Sequence, residues 1–224
     1  MRKLIFFIII FIAYSGHANW EKIGQDIDGE AEEDNSGGSV SLSADGTVLA
    51  IGAKGNSVNG SNTGHVRIHT FNNGSWIQLG QDIDGVALGD YFGGSVSLSA
   101  DGSVVAIGAS QNDGNGDSAG HVRVFTLING IWVQTGQDIN GEASGDYSGS
   151  SVSLSADGTV VAIGAYANDG NGSNSGHVRV YYFSNGVWLK MGQDIDGEAE
   201  YDYSGESVSL SADGTVVAIG APEN

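Results

Sequence analysis

The chain has 224 residues, with 8 lysines and arginines against 27 aspartates and glutamates, a formal net charge of −19, 37 glycines, one proline and no cysteine. Such a surface repels phosphate backbones, which excludes nucleic acid as a partner, and without cysteine neither disulfides nor thiolate metal sites are available. The acidity favours solubility, divalent cations and basic partners.

Met1-Arg2-Lys3 precede an apolar run from Leu4 to Tyr14, and Ser15-Gly16-His17-Ala18 offers small residues for cleavage after Ala18. This is the pattern of a secretory signal peptide over residues 1–18. The run is too short for a membrane span, which needs about 20 apolar residues. The mature chain is therefore expected to be secreted, extracellular or at the cell surface, with no stable membrane span after cleavage.

From residue 19 onward the text repeats. Trp20, Trp76, Trp132 and Trp188 stand 56 residues apart, as do the aspartates of SADG (Asp45, Asp101, Asp157, Asp213) and the histidines of GHVR (His65, His121, His177). A fixed period of this length marks an array of one supersecondary unit, with units of about 20–75, 76–131, 132–187 and a partial 188–224. Each unit alternates with period two between turn residues, as strands do. In Ser39-Val40-Ser41-Leu42-Ser43 the apolar residues share one face and the serines the other. Ala44-Asp45-Gly46 then reads as a hairpin turn. Thr47 to Gly52 is apolar on both faces, as expected of a strand between neighbours. A Gly/Asn/Ser-rich surface loop (54–64) leads to a third strand from His65 to Phe71. Asn73-Gly74 turns, and Trp76 to Leu79 begins a fourth strand whose tryptophan is expected to pack between units.

Four antiparallel strands per unit, repeated radially, predict an all-β β-propeller of about 3.6 blades, incomplete or open. The opening Trp20–Ile27 segment reads as a lone fourth strand. The last unit stops after its second strand, so the chain reads as a fragment or truncated product with an open blade edge available for self-association.

The blades resemble the FG-GAP repeats of the integrin α-subunit propeller and its bacterial relatives. Phe92-Gly93 stands at the FG, Gly220-Ala221-Pro222 matches GAP, and Gly52-Ala53, Gly108-Ala109 and Gly164-Ala165 match its first two letters. The resemblance covers residues 20–224 and implies a propeller used in adhesion or ligand binding. The calcium-bearing members carry several aspartates in the first hairpin. Here SADGT leaves one per blade, and a single carboxylate cannot supply a six- to eight-oxygen calcium shell.

Calcium is instead the candidate ion at the acidic connections. Asp26, Asp28, Glu30 and Asp34 fall at relative positions 1, 3, 5 and 9, and Asp194, Asp196, Glu198 and Asp202 repeat that spacing. Alternating oxygens can wrap a hard cation, although Asp-Gly pairs also simply make turns. The loops Asp113–Asp117 and Asp169–Ser173 offer a weaker version and read as surface loops. Each Arg of GHVR is expected to pair with a repeated Asp. No nucleophile or general base stands out, and near-identical blades lack the loop asymmetry that an active site needs.

The expectation is therefore a secreted or cell-surface, non-enzymatic propeller that binds extracellular protein or glycan, with no assigned cofactor beyond candidate calcium. The alternatives are a fragment of a propeller-fold extracellular hydrolase or lyase, and a purely structural extracellular repeat.

Overall fold

The computed structural model describes residues 21–224; the segment 1–18, expected to be a signal peptide, lies outside them. Every named element is a β-strand. The first blade holds β1 (Ser36–Leu42), β2 (Val48–Ala53), β3 (His65–Asn72), β4 (Ser75–Gln78) and β5 (Ile83–Asp84). The second holds β6 (Ser95–Leu98), β7 (Val104–Ala109), β8 (His121–Ile128), β9 (Ile131–Gln134) and β10 (Ile139–Asn140). The third repeats this as β11 (Ser151–Leu154), β12 (Val160–Ala165), β13 (His177–Ser184), β14 (Val187–Lys190) and β15 (Ile195–Asp196). β16 (Ser207–Leu210) and β17 (Val217–Gly220) form a two-stranded fourth blade. All pairings between these strands are antiparallel. The result is an open, propeller-type array of four-position blades.

Two details depart from the sequence reading. The fourth strand of each of the first three blades is broken. β4 pairs with the end of β3, the chain leaves the ladder around Gly80, and β5 rejoins β3 at its start, with His65 opposite Asp84. Residues 21–35 form no strand, because no third strand lies beside them to complete a ladder as β3 does for β4.

The core lies between blades. One cluster joins Val48, Ala50, Val66 and Ile68 of the first blade to Leu98, Val105, Ile107 and Trp132 of the second. A second joins Val122 and Val124 to Leu154, Val161, Ile163 and Trp188. Trp132 and Trp188 are buried, as their period implied. Each indole Nε1 donates to a backbone oxygen of the preceding blade (Leu79 and Thr135, both 2.8 Å). A glutamine of that blade clasps the tryptophan backbone from both sides: Trp132 N donates to Gln81 Oε1 (3.0 Å) and Gln81 Nε2 donates to Trp132 O (2.8 Å).

The serine face of the first strand is an interface. Ser41, Ser97 and Ser153 accept from the backbone N–H of Leu98, Leu154 and Leu210, each at 2.9 Å. Ser39, Ser95 and Ser151 donate to the oxygens of Gly93, Gly149 and Gly205. The FG and GA glycines explain themselves here. A Cβ on Gly52 would lie 2.1 Å from Gly93 O, and Gly93 itself has φ +87. Only glycine permits blades to approach so closely.

Candidate functional site

Two kinds of ends alternate around the array. The SADG turns and the β3–β4 turns share one end, where Phe71 N bonds Thr47 O (2.7 Å). At the other end the β2–β3 loops meet the blade-to-blade connections, as Gly85 N bonds Gly64 O (2.9 Å) and Phe92 N bonds Thr63 O (3.1 Å). This second end, the loop face, carries the candidate residues.

The SADG end is structural. Asp45 Oδ1 accepts from Thr47 N (3.0 Å), Ser43 Oγ (2.7 Å) and Thr47 Oγ1 (2.8 Å). The same bonds, from Ser211 and then Thr215, hold Asp213 down at about 2. These carboxylates cap their own turns.

The acidic connections divide their carboxylates among separate partners. Asp26 pairs with Lys22 (2.7 Å). Asp28 offers its backbone oxygen to Arg67 Nη2 (2.8 Å), and Glu30 Oε1 lies 3.4 Å from Arg67 Nη1. Asp34 is buried and accepts from Ala31 N (3.2 Å) and Asn56 Nδ2 (3.1 Å). In the later connection Asp194 is bound by Arg179 and Lys190, and Asp196 Oδ1 lies 4.0 Å from His177 Nδ1. Glu198 offers its backbone oxygen to Asn171 (3.2 Å), and Asp202 accepts from Ala199 N (2.8 Å) and Asn224 (3.4 Å). Among the described residues, the groups close enough to share an ion are Glu30, His65 and Asp82, and Glu142, His177 and Asp194. Neither reproduces the 1, 3, 5, 9 set, and as placed that set does not fit one calcium ion.

A guanidinium stands at both of these groups. Arg179 makes a two-pronged bond to Asp194 (2.9 and 2.8 Å) and also contacts Glu142 of the preceding connection. Burial lowers the Arg179 pKa, but the bonds to Asp194 and Glu142 outweigh it and raise the group above its ordinary value. Arg123 makes the same fork to Asp138 (3.0 and 2.9 Å), while Val86 stands where Glu142 would be. The expected Arg–Asp pair therefore holds in two blades. In the first, Arg67 turns to Glu30, Asp82 is held by Gln78 (2.6 Å), and Arg67 Nε is left buried without a partner. Burial first, then the neighbouring arginine, depresses the imidazoles of His121, to about 4, and of His177.

The sequence reading missed two features of the loop face. One is a latch of a buried aspartate and an asparagine 22 residues later: Asp34–Asn56, Asp90–Asn112 and Asp146–Asn168 (3.0 to 3.1 Å), and Asp202–Asn224 (3.4 Å). The fixed 22-residue spacing was its signal. The other is Tyr91, Tyr147 and Tyr203, each just after a latch aspartate and each in left-handed backbone (φ 54, 54 and 52). Their N–H groups bond Asn62, Ser118 and Asn174 oxygens of the preceding blade (3.1 Å each). The loops around Asn115 and Asn171 are likewise tied across blades, to Gly141 O and Gly197 O (2.8 Å each).

Residues 83–125 and 140–181 match the FG-GAP repeat family model. No curated protein matches the chain by sequence. Among solved structures, a candidate 6-phosphogluconolactonase from Bacteroides uniformis is similar at TM-score 0.54 and 12% identity, over 81% of this chain and 46% of that one. Kuenenia stuttgartiensis hydrazine synthase is similar at TM-score 0.51 and 14% identity, over 81% of this chain and 49% of that one. The chain thus spans less than half the length of either, and at these identities the likeness concerns the fold alone. Residues 83–125 and 140–181 thus match FG-GAP repeats, and the same blade recurs through the described residues, consistent with an FG-GAP repeat protein.

Proposed function

We propose that the protein is a secreted or cell-surface, non-enzymatic repeat module that binds an extracellular protein or glycan through its loop face. The observation that carries this reading is the repeated, rigidly held display of Tyr91, Tyr147 and Tyr203. Each is half-exposed, yet fixed by a left-handed backbone and a cross-blade hydrogen bond. Aromatic side chains with few rotatable bonds contribute contact area at low entropic cost. The experiment is a binding screen of the full chain against panels of extracellular proteins and glycans, paired with assays for hydrolase and lyase turnover. Saturable binding that is weakened by Tyr147→Ser supports the reading; turnover of a hydrolase or lyase substrate contradicts it.

Calcium is tested by the melting curve. Asp26, Asp28, Glu30 and Asp34 are divided among separate partners, Asp34 being held by Ala31 N and Asn56, so equal melting temperatures in calcium and in chelator are expected. A rise of several degrees with calcium would place an ion there.

A further inference from the structure

In a near-identical repeat, departures from the repeat are informative. At the position of Tyr166 the other units carry Lys54, Ser110 and Pro222. At that of Glu206 they carry Gly38, Gly94 and Ser150, and at that of Glu223, Gly55, Gln111 and Ala167. These three departures converge. Tyr166, Glu206 and Glu223 line one cleft of about 400 Å³ with Tyr203 and Pro222, on the loop face between the third and fourth blades. One ring face of Tyr166 is stacked on Tyr147 (centroids 5.5 Å, 10°), and the ring makes an open V with Tyr203 (6.2 Å, 46°). Glu206 lines the cleft beside both rings, and burial, then the charges of Tyr147 and Glu206, raise the Tyr166 hydroxyl above its ordinary value.

We infer that this cleft binds a small organic cation of the quaternary alkylammonium class. Aromatic faces attract a cation within about 6 Å of the ring centroid, and two carboxylates at the rim supply the compensating charge. No lysine or arginine lines the cleft, and the chain's net charge of −19 draws cations toward it. A quaternary ammonium has no N–H to satisfy and is weakly hydrated, so it leaves water for an aromatic V more readily than a metal ion does. A neutral sugar could stack on the rings but would gain nothing from the carboxylate charge, and an anion would be repelled. The inference rests on reading the loop face as a binding surface and names the chemistry of one site on it.

The test titrates the full chain with choline, and separately with its neutral isostere 3,3-dimethyl-1-butanol, at constant ionic strength while following tyrosine fluorescence. Saturable binding of choline without binding of the isostere is expected. Tyr166→Ser and Glu206→Ser each install the residue of another blade, and each is expected to weaken choline binding about tenfold. Melting curves establish that both variants fold. Failure of choline to saturate, equal binding of the isostere, or unchanged affinity in both variants overturns the inference, as does a methyl glycoside that binds where choline does not. If the panels find a loop-face partner while choline does not bind, this inference alone fails; if choline binds while the panels stay silent, the broader reading alone fails.

Discussion

Trp132 has its indole in the core shared by two blades, its Nε1 on Leu79 O and its backbone clasped by Gln81. Trp132→Ala should cost about 3–5 kcal/mol, read from denaturant unfolding, because neighbours held by ladder bonds cannot collapse into the void. The buried histidines make a second residue-scale prediction. The unfolded chain takes up these protons near pH 6.5, whereas His121 in the fold resists until about 4. Its contribution is therefore complete above about pH 6.5 and is lost as pH falls toward 4, by about 3 kcal/mol in all. His177 acts in the same direction. Asp90, raised by burial, works against it, since the fold holds that proton more tightly than the unfolded chain does. The melting temperature should fall between pH 7 and 5, and His121→Gln should flatten the slope; a level wild-type profile would contradict this.

At the scale of the element, the first strand is held to its neighbour by side chains as well as by its own ladder. Ser153→Ala would leave Leu210 N without its 2.9 Å acceptor and should cost about 1–3 kcal/mol. Thermal melts of the alanine variant and of the Ser153→Thr control measure it. The strand itself was legible, since Val40 and Leu42 alternate with serine and Asp45-Gly46 has the chemistry of a tight turn. What the serines do was not legible, because their partners lie 54 or 57 residues away in the next blade. The broken fourth strand was hidden for the same reason: the Gln81 clasp reaches 51 residues ahead. The carboxylates at positions 1, 3, 5 and 9 looked like one oxygen ring because spacing along a chain does not say which guanidinium or asparagine each will meet. Arg67, Arg179 and Asn56 divide them. The tyrosine cleft was unreadable from one unit and becomes visible only when units are compared position by position in three dimensions.

Over the whole molecule, stability is the sum of blades and the interfaces between them, as in other repeat arrays. The end faces are chemically distinct from the internal ones. Val40 and Leu42 of the first blade are exposed at 61% and 56%, whereas Leu98 and Leu154, equivalent to Leu42, are 7% exposed against the preceding blade. Self-association through these open faces is the corresponding proposal. Sedimentation velocity should show concentration-dependent association that Leu42→Ser reduces, and a single species at all concentrations would contradict it. In the proposed function, partners meet the loop face, where the connections and β2–β3 loops of successive blades lie side by side. Hydrogen exchange of the full chain, with and without a partner identified in the binding panels, tests it most directly. Binding should slow exchange at the connections around Tyr91, Tyr147 and Tyr203 and leave the SADG turns at Asp45, Asp101 and Asp157 unchanged; protection confined to those turns would contradict the account.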